Sequence, residues 1–140
     1  MKQFLAAAAL VLAMPLVHAS GPVAPKGWNG SDEATLPNGQ PCCSPADLNG
    51  AGLVGGAFVL LSDDKSQFAL FALSYTPPLN EHWQLLEKHP ISQLKNFRVS
   101  VSPAGNGHFG IIRACIAASC ALYSTSSVRT PFERVEGPER

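Results

Sequence analysis

The stretch FRVSVSPAGNGHFGIIRACIAASCALYS at residues 97–124 decides the fold. It opens with strict alternation, in which Phe97, Val99 and Val101 share one predicted face and polar residues share the other. Two further apolar runs follow, preceded by a long glycine-rich turn and separated from each other by a short one. The stretch therefore predicts three antiparallel β-strands joined by two unlike turns.

The same strand pattern runs upstream of this stretch. AFVLLS (57–62) and QFALFALSY (67–75) are joined by a short polar link, which is the signature of a β-hairpin. Both faces of the second run are apolar, so we expect this strand to be central and covered on both sides. WQLLEK (83–88) predicts a further strand, and ISQLK (91–95) predicts one helical turn or a packed loop.

Six short strands with tight links and no long helix predict an all-β domain. We expect an antiparallel meander that forms either a small open barrel or a two-layer sandwich, stapled by disulfides. A short helical turn is predicted near Ser44, which can cap it, with Pro45 at its first position and Asp47 near its positive end. Residues 76–82 contain two adjacent prolines and predict a surface loop.

The chain divides into four predicted segments. Residues 1–19 contain a basic residue followed by an apolar run and end in small residues, which is the pattern of a secretory signal peptide. Residues 20–41 are rich in Gly and Pro and predict an extended arm, with Trp28 as its large apolar anchor. Residues 42–125 form the predicted β domain, and residues 126–140 form a tail that is expected to fray. The expected location is the periplasm, after cleavage of the signal.

The charge balance argues against two classes of partner. Lys2 lies in the predicted signal, which leaves nine of the ten Lys and Arg residues against ten Asp and Glu residues. A near-neutral mature chain offers no basic surface for nucleic acid or anionic lipid. Since no second apolar segment is long enough to span a bilayer, membrane insertion is not expected either.

The four cysteines are expected to form disulfides, because an even number in an exported chain is typical of a disulfide framework. Cys115 and Cys120 flank a hairpin turn and would face each other, which leaves Cys42 to pair with Cys43. The alternative joins the adjacent pair to the hairpin through two long-range bridges, and this pattern is favoured because it ties the arm to the sheet. A thiolate metal site with His108 competes, but the cysteine spacing is not that of structural zinc. We therefore expect neither a metal nor a cofactor.

No recognisable catalytic motif is present in the sequence. His82, His89 and His108 form no helical metal-binding pair, and no serine lies in a G-x-S-x-G frame. A cysteine nucleophile would need a free thiol, which the predicted disulfides remove. The sequence therefore predicts a protein that is not an enzyme.

The segment SPAGNGH (102–108) is the predicted partner-binding site. It is longer than a hairpin needs, a proline stiffens its start, and its two glycines permit positive φ. These features predict a projection held by rigid strands, although an ordinary exposed turn is an equally good interpretation. The predicted contact residues are Ser102, Pro103, Gly105, Asn106, Gly107 and His108.

This plan resembles the periplasmic immunity proteins and related inhibitors that neutralise peptidoglycan-degrading enzymes, among them the immunity proteins against type VI secretion amidase effectors. The likeness rests on the signal at residues 1–19, the compact β chain, its cysteines and the polar loop 102–108. The S-G-x-x-Y pattern of one lysozyme-inhibitor family is absent from the chain. The resemblance implies a protein that occludes the active site of a secreted or periplasmic hydrolase of the peptidoglycan amidase type.

Two predictions of function therefore stand. The first is occlusion of an enzyme's active site by residues 102–108. The second is a small-ligand-binding or structural protein of the envelope, with a barrel-like pocket lined by aromatic side chains. The side chains predicted to line that pocket are Phe58, Phe68, Phe71 and Trp83.

Overall fold

The computed structural model describes residues 23–29, 36, 39 and 41–135, and its strands form two antiparallel sheets. The first sheet contains β1 (Trp28–Asn29), β2 (Cys43–Ala46), β3 (Gly55–Ser62), β4 (Gln67–Thr76) and β5 (Asn80–Pro90). A 3₁₀ helix at Ile91–Asn96 leads to the second sheet, which contains β6 (Phe97–Ser102), β7 (Ile111–Ile116), β8 (Ser119–Ser124) and β9 (Glu133–Arg134).

The predicted all-β antiparallel fold is confirmed. The first sheet has the order β1-β3-β4-β5, with β2 also paired to β3, and the second has the order β6-β7-β8-β9. Neither sheet closes on itself, so the fold is not a closed barrel, and core residues of the two separate sheets pack into one cluster, as in the predicted two-layer arrangement. The six predicted strands correspond to β3 to β8, and the turn predicted after β5 is the 3₁₀ helix. The loop predicted at 76–82 is shorter than expected, because β4 extends to Thr76 and β5 begins at Asn80. The predicted signal at residues 1–19 lies outside the described residues, among which no helix is long and apolar enough to cross a membrane.

The main core lies between the sheets and is built on strand β4. Because successive side chains of a strand point to opposite faces, Phe68 and Leu70 point inward together. Both are fully buried, and the ring of Phe68 lies 4.9 Å, centroid to centroid, from that of Phe97 in the second sheet. Burial of each such side chain contributes about 1.5–3 kcal/mol. This face of β4 therefore holds the two layers together.

The outer face of the first sheet carries an aromatic cluster. The ring of Phe71 packs edge-on, 5.6 Å from that of Trp28 and 6.1 Å from that of Trp83. The Phe58 ring packs 5.2 Å from the same Trp83 ring. Strand β4 is thus covered on both faces, as predicted, and Trp28 anchors the arm through β1. The predicted aromatic pocket is wrong, because Phe68 points to the opposite side of the sheet from the other three rings.

The predicted polar link between β3 and β4 is confirmed as a hairpin turn and is ordered by Asp64. The hydroxyl and backbone N–H of Ser66, together with the hydroxyl of Ser62, donate to the Asp64 carboxylate. These hydrogen bonds, chiefly that from the Ser66 hydroxyl, lower the pKa of Asp64 to about 2. These polar contacts order the turn.

The short helical turn predicted near Ser44 is wrong, since Cys43–Ala46 forms strand β2. This strand pairs with β3, with Ser44 opposite Ala57 and Pro45 opposite Gly56. A Cβ at Gly56 would collide with the carbonyl oxygen of Ser44, so glycine permits the close approach of the two strands. The antiparallel pairing with β3 extends from Cys43 to Ala46, and this tertiary contact overrides the local helix-start pattern.

The favoured long-range disulfides are also wrong. Cys42 is bonded to its neighbour Cys43, and their Cα atoms are 3.7 Å apart. Cys115 is bonded to Cys120 at a Cα separation of 4.0 Å, because the two are direct partners across the β7–β8 hairpin. The adjacent pair lies at the start of β2 in the first sheet, whereas the hairpin pair lies in the second. No cysteine in the described part of the chain is free.

Peptide mapping is expected to show both disulfides as local. Trypsin places the hairpin pair in the peptide 114–129 and the adjacent pair in the peptide 27–65. Without reduction, each peptide should appear at its own mass, lighter by two hydrogen atoms than its reduced form. A cross-linked species that joins the two peptides would contradict this pairing and restore the long-range pattern.

The C-terminal tail does not fray as far as residue 135, contrary to expectation. Phe132 is buried, and β9 pairs with β8. The side-chain N–H of Gln84 donates to the Phe132 carbonyl at 2.6 Å, and the side-chain oxygen of Gln84 accepts the Phe132 N–H at 2.7 Å. The described part of the tail is therefore an integral part of the sandwich.

A hydrogen-bonded group also joins the two sheets at strand β5. The Tyr123 hydroxyl on β8 donates to one carboxylate oxygen of Glu87 at 2.5 Å, and Nε2 of His89 lies 2.8 Å from the other. Burial, followed by the hydrogen bond to Glu87, raises the pKa of Tyr123. The phenol therefore stays protonated at neutral pH and serves as the donor between the layers.

Candidate functional site

The predicted contact residues lie together in the connection between β6 and β7, and residues 102–110 are here named the finger. The finger narrows to a two-residue turn, in which Asn106 has a φ of 51° and Gly107 a φ of 85°. The Gly105 N–H donates to the His108 carbonyl, and the His108 N–H donates to the Gly105 carbonyl, each at 3.0 Å. Positive φ at both central residues is typical of a type I′ turn.

The tip of the finger faces solvent. All four residues of the turn, 105–108, are exposed, and so are Ser102 and Pro103 at its start. All six predicted contact residues are therefore exposed within this one connection. Ala104, which was not among them, is half-buried at the base.

The base of the finger is hydrogen-bonded to the loop between β2 and β3 of the other sheet. The Ala104 N–H donates to the Asp47 carbonyl at 2.7 Å, and the Gly110 N–H donates to the Leu48 carbonyl at 2.8 Å. Within the finger's own sheet, the hydroxyl of Ser124 on β8 donates to the Gly110 carbonyl at 2.6 Å. These three hydrogen bonds fix both ends of the finger, since each satisfies a backbone group of the connection.

The supporting loop is itself ordered by the Asp47 side chain. Its two carboxylate oxygens accept the N–H groups of Gly50 and Gly52, each at 2.9 Å. A notch of about 400 Å³ lies between this loop and the finger, and Phe109 and Asp47 help to line it. Neither Phe109 nor Asp47 was predicted to support the finger. The turn-forming residues at 47–50 nevertheless indicated a loop at this position.

Gly110 is expected not to tolerate alanine, because the base of the finger has no room for a side chain there. A Cβ at this position would lie 2.8 Å from Leu48 Cδ2 and 2.9 Å from both the Leu48 Cα and the Ser102 carbonyl oxygen. Gly110→Ala should therefore destabilise the fold by about 1–3 kcal/mol and speed hydrogen exchange at the Ala104 amide. Gly105→Ala is the matched control, since a Cβ there meets nothing within 4 Å. Equal stability of the two variants would show that the base is not closely packed.

The polar side chains of the finger can form hydrogen bonds. Asn106 offers an amide that donates and accepts, His108 offers an imidazole, and Ser102 offers a hydroxyl. Among the described residues, no group of three or more His, Cys, Asp or Glu side chains is placed to hold a metal ion. Comparisons with models of protein families, with curated proteins and with solved structures found no match.

Proposed function

We propose that the protein is an exported inhibitor, an immunity protein whose finger enters and blocks the active site of a peptidoglycan-degrading enzyme. The observation that carries this proposal is the form of the finger: its tip is exposed and its base is hydrogen-bonded to the opposite sheet. The proposed partner is a secreted or periplasmic hydrolase of the amidase type, by the resemblance to the immunity proteins of type VI secretion systems.

A rigid finger supports inhibition because a mobile loop loses entropy when it binds. Immobilising one flexible side chain at an interface costs about 0.5–1.5 kcal/mol, and ordering a backbone costs more. The paired hydrogen bonds between Gly105 and His108, and those of Ala104 and Gly110 at the base, fix the backbone before any partner arrives. Most of the free energy of the tip contacts is then available for affinity.

The polar surface of the tip supports an active-site partner rather than a flat apolar one. The exposed side chains of Ser102, Asn106 and His108 carry donors and acceptors but little apolar area. Hydrolytic active sites present polar groups that lose water when a cleft is filled, and those groups need replacement partners. A finger with several hydrogen-bonding groups supplies such partners.

The cysteines support an exported location. All four are paired, in two disulfides. Disulfides persist in oxidising compartments such as the periplasm and are rare where thiols are kept reduced. A protein that protects the cell wall must act in that compartment.

The proposal is tested by enzyme inhibition and by growth. The purified protein is mixed with amidase effectors one at a time, and the release of peptidoglycan fragments is followed. We expect one cognate enzyme to be inhibited in a one-to-one complex, and cells that export the protein to survive that enzyme in their periplasm. A form without residues 1–19 is the control for location and should not protect. Inhibition of no enzyme in such a panel, or equal protection by both forms, would overturn the proposal.

A further inference from the structure

A cavity of about 380 Å³ opens at the end of the β4–β5 hairpin, and none of its lining residues belongs to the finger. Ser74 and Thr76 of β4 and His82 of β5 form one wall, and the loop that carries Arg129 forms the other. Ser74 and His82 are direct cross-strand partners, so their side chains share one face of the sheet. The cavity is thus built by regular strands on one side and by a short loop on the other.

The charge of this cavity is positive. Arg129 contributes a guanidinium, and no residue among those that line the cavity carries a carboxylate. The acidic neighbour in sequence is Glu81, which pairs with Tyr75 and therefore lies on the opposite face of β5 from His82. The Glu81 carboxylate is also engaged, because it accepts the indole N–H of Trp83 at 2.8 Å. The cation therefore has no counter-charge within the cavity.

Several donors in this cavity have no partner in the described part of the chain. The Ser74 hydroxyl and the Arg129 guanidinium make no hydrogen bond or ion pair there. The Thr76 hydroxyl lies 2.8 Å from Nε2 of His82, which leaves Nδ1 of that ring available. Gln84 differs, since both ends of its amide are bonded to the Phe132 backbone. Three groups that line the cavity are thus available to a ligand: a guanidinium, a hydroxyl and an imidazole nitrogen.

Hydrogen bonds join the two walls of the cavity. The side chain of Asn49, which is 1 % exposed, donates to the carbonyls of Tyr75 at 2.8 Å and Val128 at 3.1 Å. This amide joins the end of β4 to the loop that carries Arg129. The Thr130 hydroxyl accepts the Ser127 N–H at 2.9 Å and so closes the same loop. The two walls of the cavity are therefore joined through the side chain of Asn49.

We propose that this cavity binds an oxyanion carried by a small molecule. The Arg129 guanidinium forms the ion pair, and the Ser74 hydroxyl and the His82 imidazole donate to the remaining oxygen atoms. A guanidinium matches the geometry of carboxylates and phosphates, and both present several oxygen acceptors to a group of donors. The volume lies at the lower end of the range for small-molecule sites, so it accommodates a bound group larger than the anion itself.

The test is an NMR titration of the purified protein with two probes, sodium phosphate and sodium acetate, against sodium chloride at equal ionic strength. We expect saturable shifts at Ser74, His82 and Arg129 with at least one probe and not with chloride. If phosphate binds more tightly than acetate, the oxyanion of the ligand is a phosphate group. If acetate binds more tightly, the oxyanion is a carboxylate. Shifts that do not saturate with either probe would overturn the proposal.

Arg129→Gln should weaken binding of the better probe by about tenfold or more, because it removes the charge-assisted contact. Lys95→Gln is the matched control, since it removes the same charge from the exposed 3₁₀ helix and should bind like wild type. Ser74→Ala is a second variant, which should weaken binding by a few fold. Unchanged binding in both cavity variants, or an equal loss in the Lys95 control, would show that the shifts report general screening and would overturn the site.

Discussion

Phe71→Ala is expected to lower the free energy of unfolding by about 3–5 kcal/mol. Phe71 is 4 % exposed, and its ring packs edge-on against those of Trp28 and Trp83. Truncation removes both ring contacts and leaves a cavity that the flanking indoles fill only in part. Denaturant unfolding followed by tryptophan fluorescence measures the change.

Leu79→Ala is the control for this measurement. Leu79 lies in the turn between β4 and β5 and is 70 % exposed, so its truncation should change stability by no more than about 0.5 kcal/mol. A cost under about 1 kcal/mol for Phe71→Ala would mean that the outer face of β4 is open to solvent. The packing of β1 on the first sheet would then be wrong as well.

Replacement of Ser102, Asn106 and His108 together by alanine is expected to weaken binding of the cognate enzyme by about a hundredfold or more. At a desolvated interface, each lost side chain leaves a partner group unpaired at a cost of about 1–3 kcal/mol. The same three residues are exposed in the free protein, so Tm should stay nearly unchanged. Inhibition kinetics measure the loss, which should lie mainly in faster dissociation, and protection of growth should be lost with it.

The 3₁₀ helix provides a matched control for this triple variant. Ser92, Gln93 and Asn96 are exposed polar residues there, and their replacement by alanine should leave binding and protection intact. A finger variant that binds and protects like wild type would exclude the finger as the inhibitory element. A finger variant with a much lower Tm would instead show that the tip contributes to folding.

Most of the strands could be predicted because their signals are local. Alternation in residues 97–101 and the polar link at 63–66 each specify a structure without reference to the rest of the chain. Strand β2 could not be predicted in this way, since Ser44 and Pro45 satisfy a helix-start pattern. The extended conformation of these residues is more stable than a helical turn only when the backbone of β3 lies beside it. The local sequence does not specify that contact.

The tip of the finger was predictable and its base was not. Asn106-Gly107 is a strong signal for a type I′ turn, because both residues tolerate positive φ. The base depends on hydrogen bonds from the backbone of Ala104 and Gly110 to the backbone of another loop. Backbone groups are the same for nearly every residue type, so such contacts leave no pattern in the sequence. The cavity beside Arg129 was missed for a related reason, since it forms only when β4, β5 and the tail come together.

Both disulfides span very short lengths of chain, with sequence separations of 1 and 5. In the chain-entropy description, the effect of a cross-link on the unfolded ensemble grows with the length of the loop that it closes. Neither bond therefore limits how far the two halves of the unfolded chain can move apart. The conformational entropy that folding must overcome is nearly that of an uncross-linked chain, and the association of the two layers depends on noncovalent contacts alone.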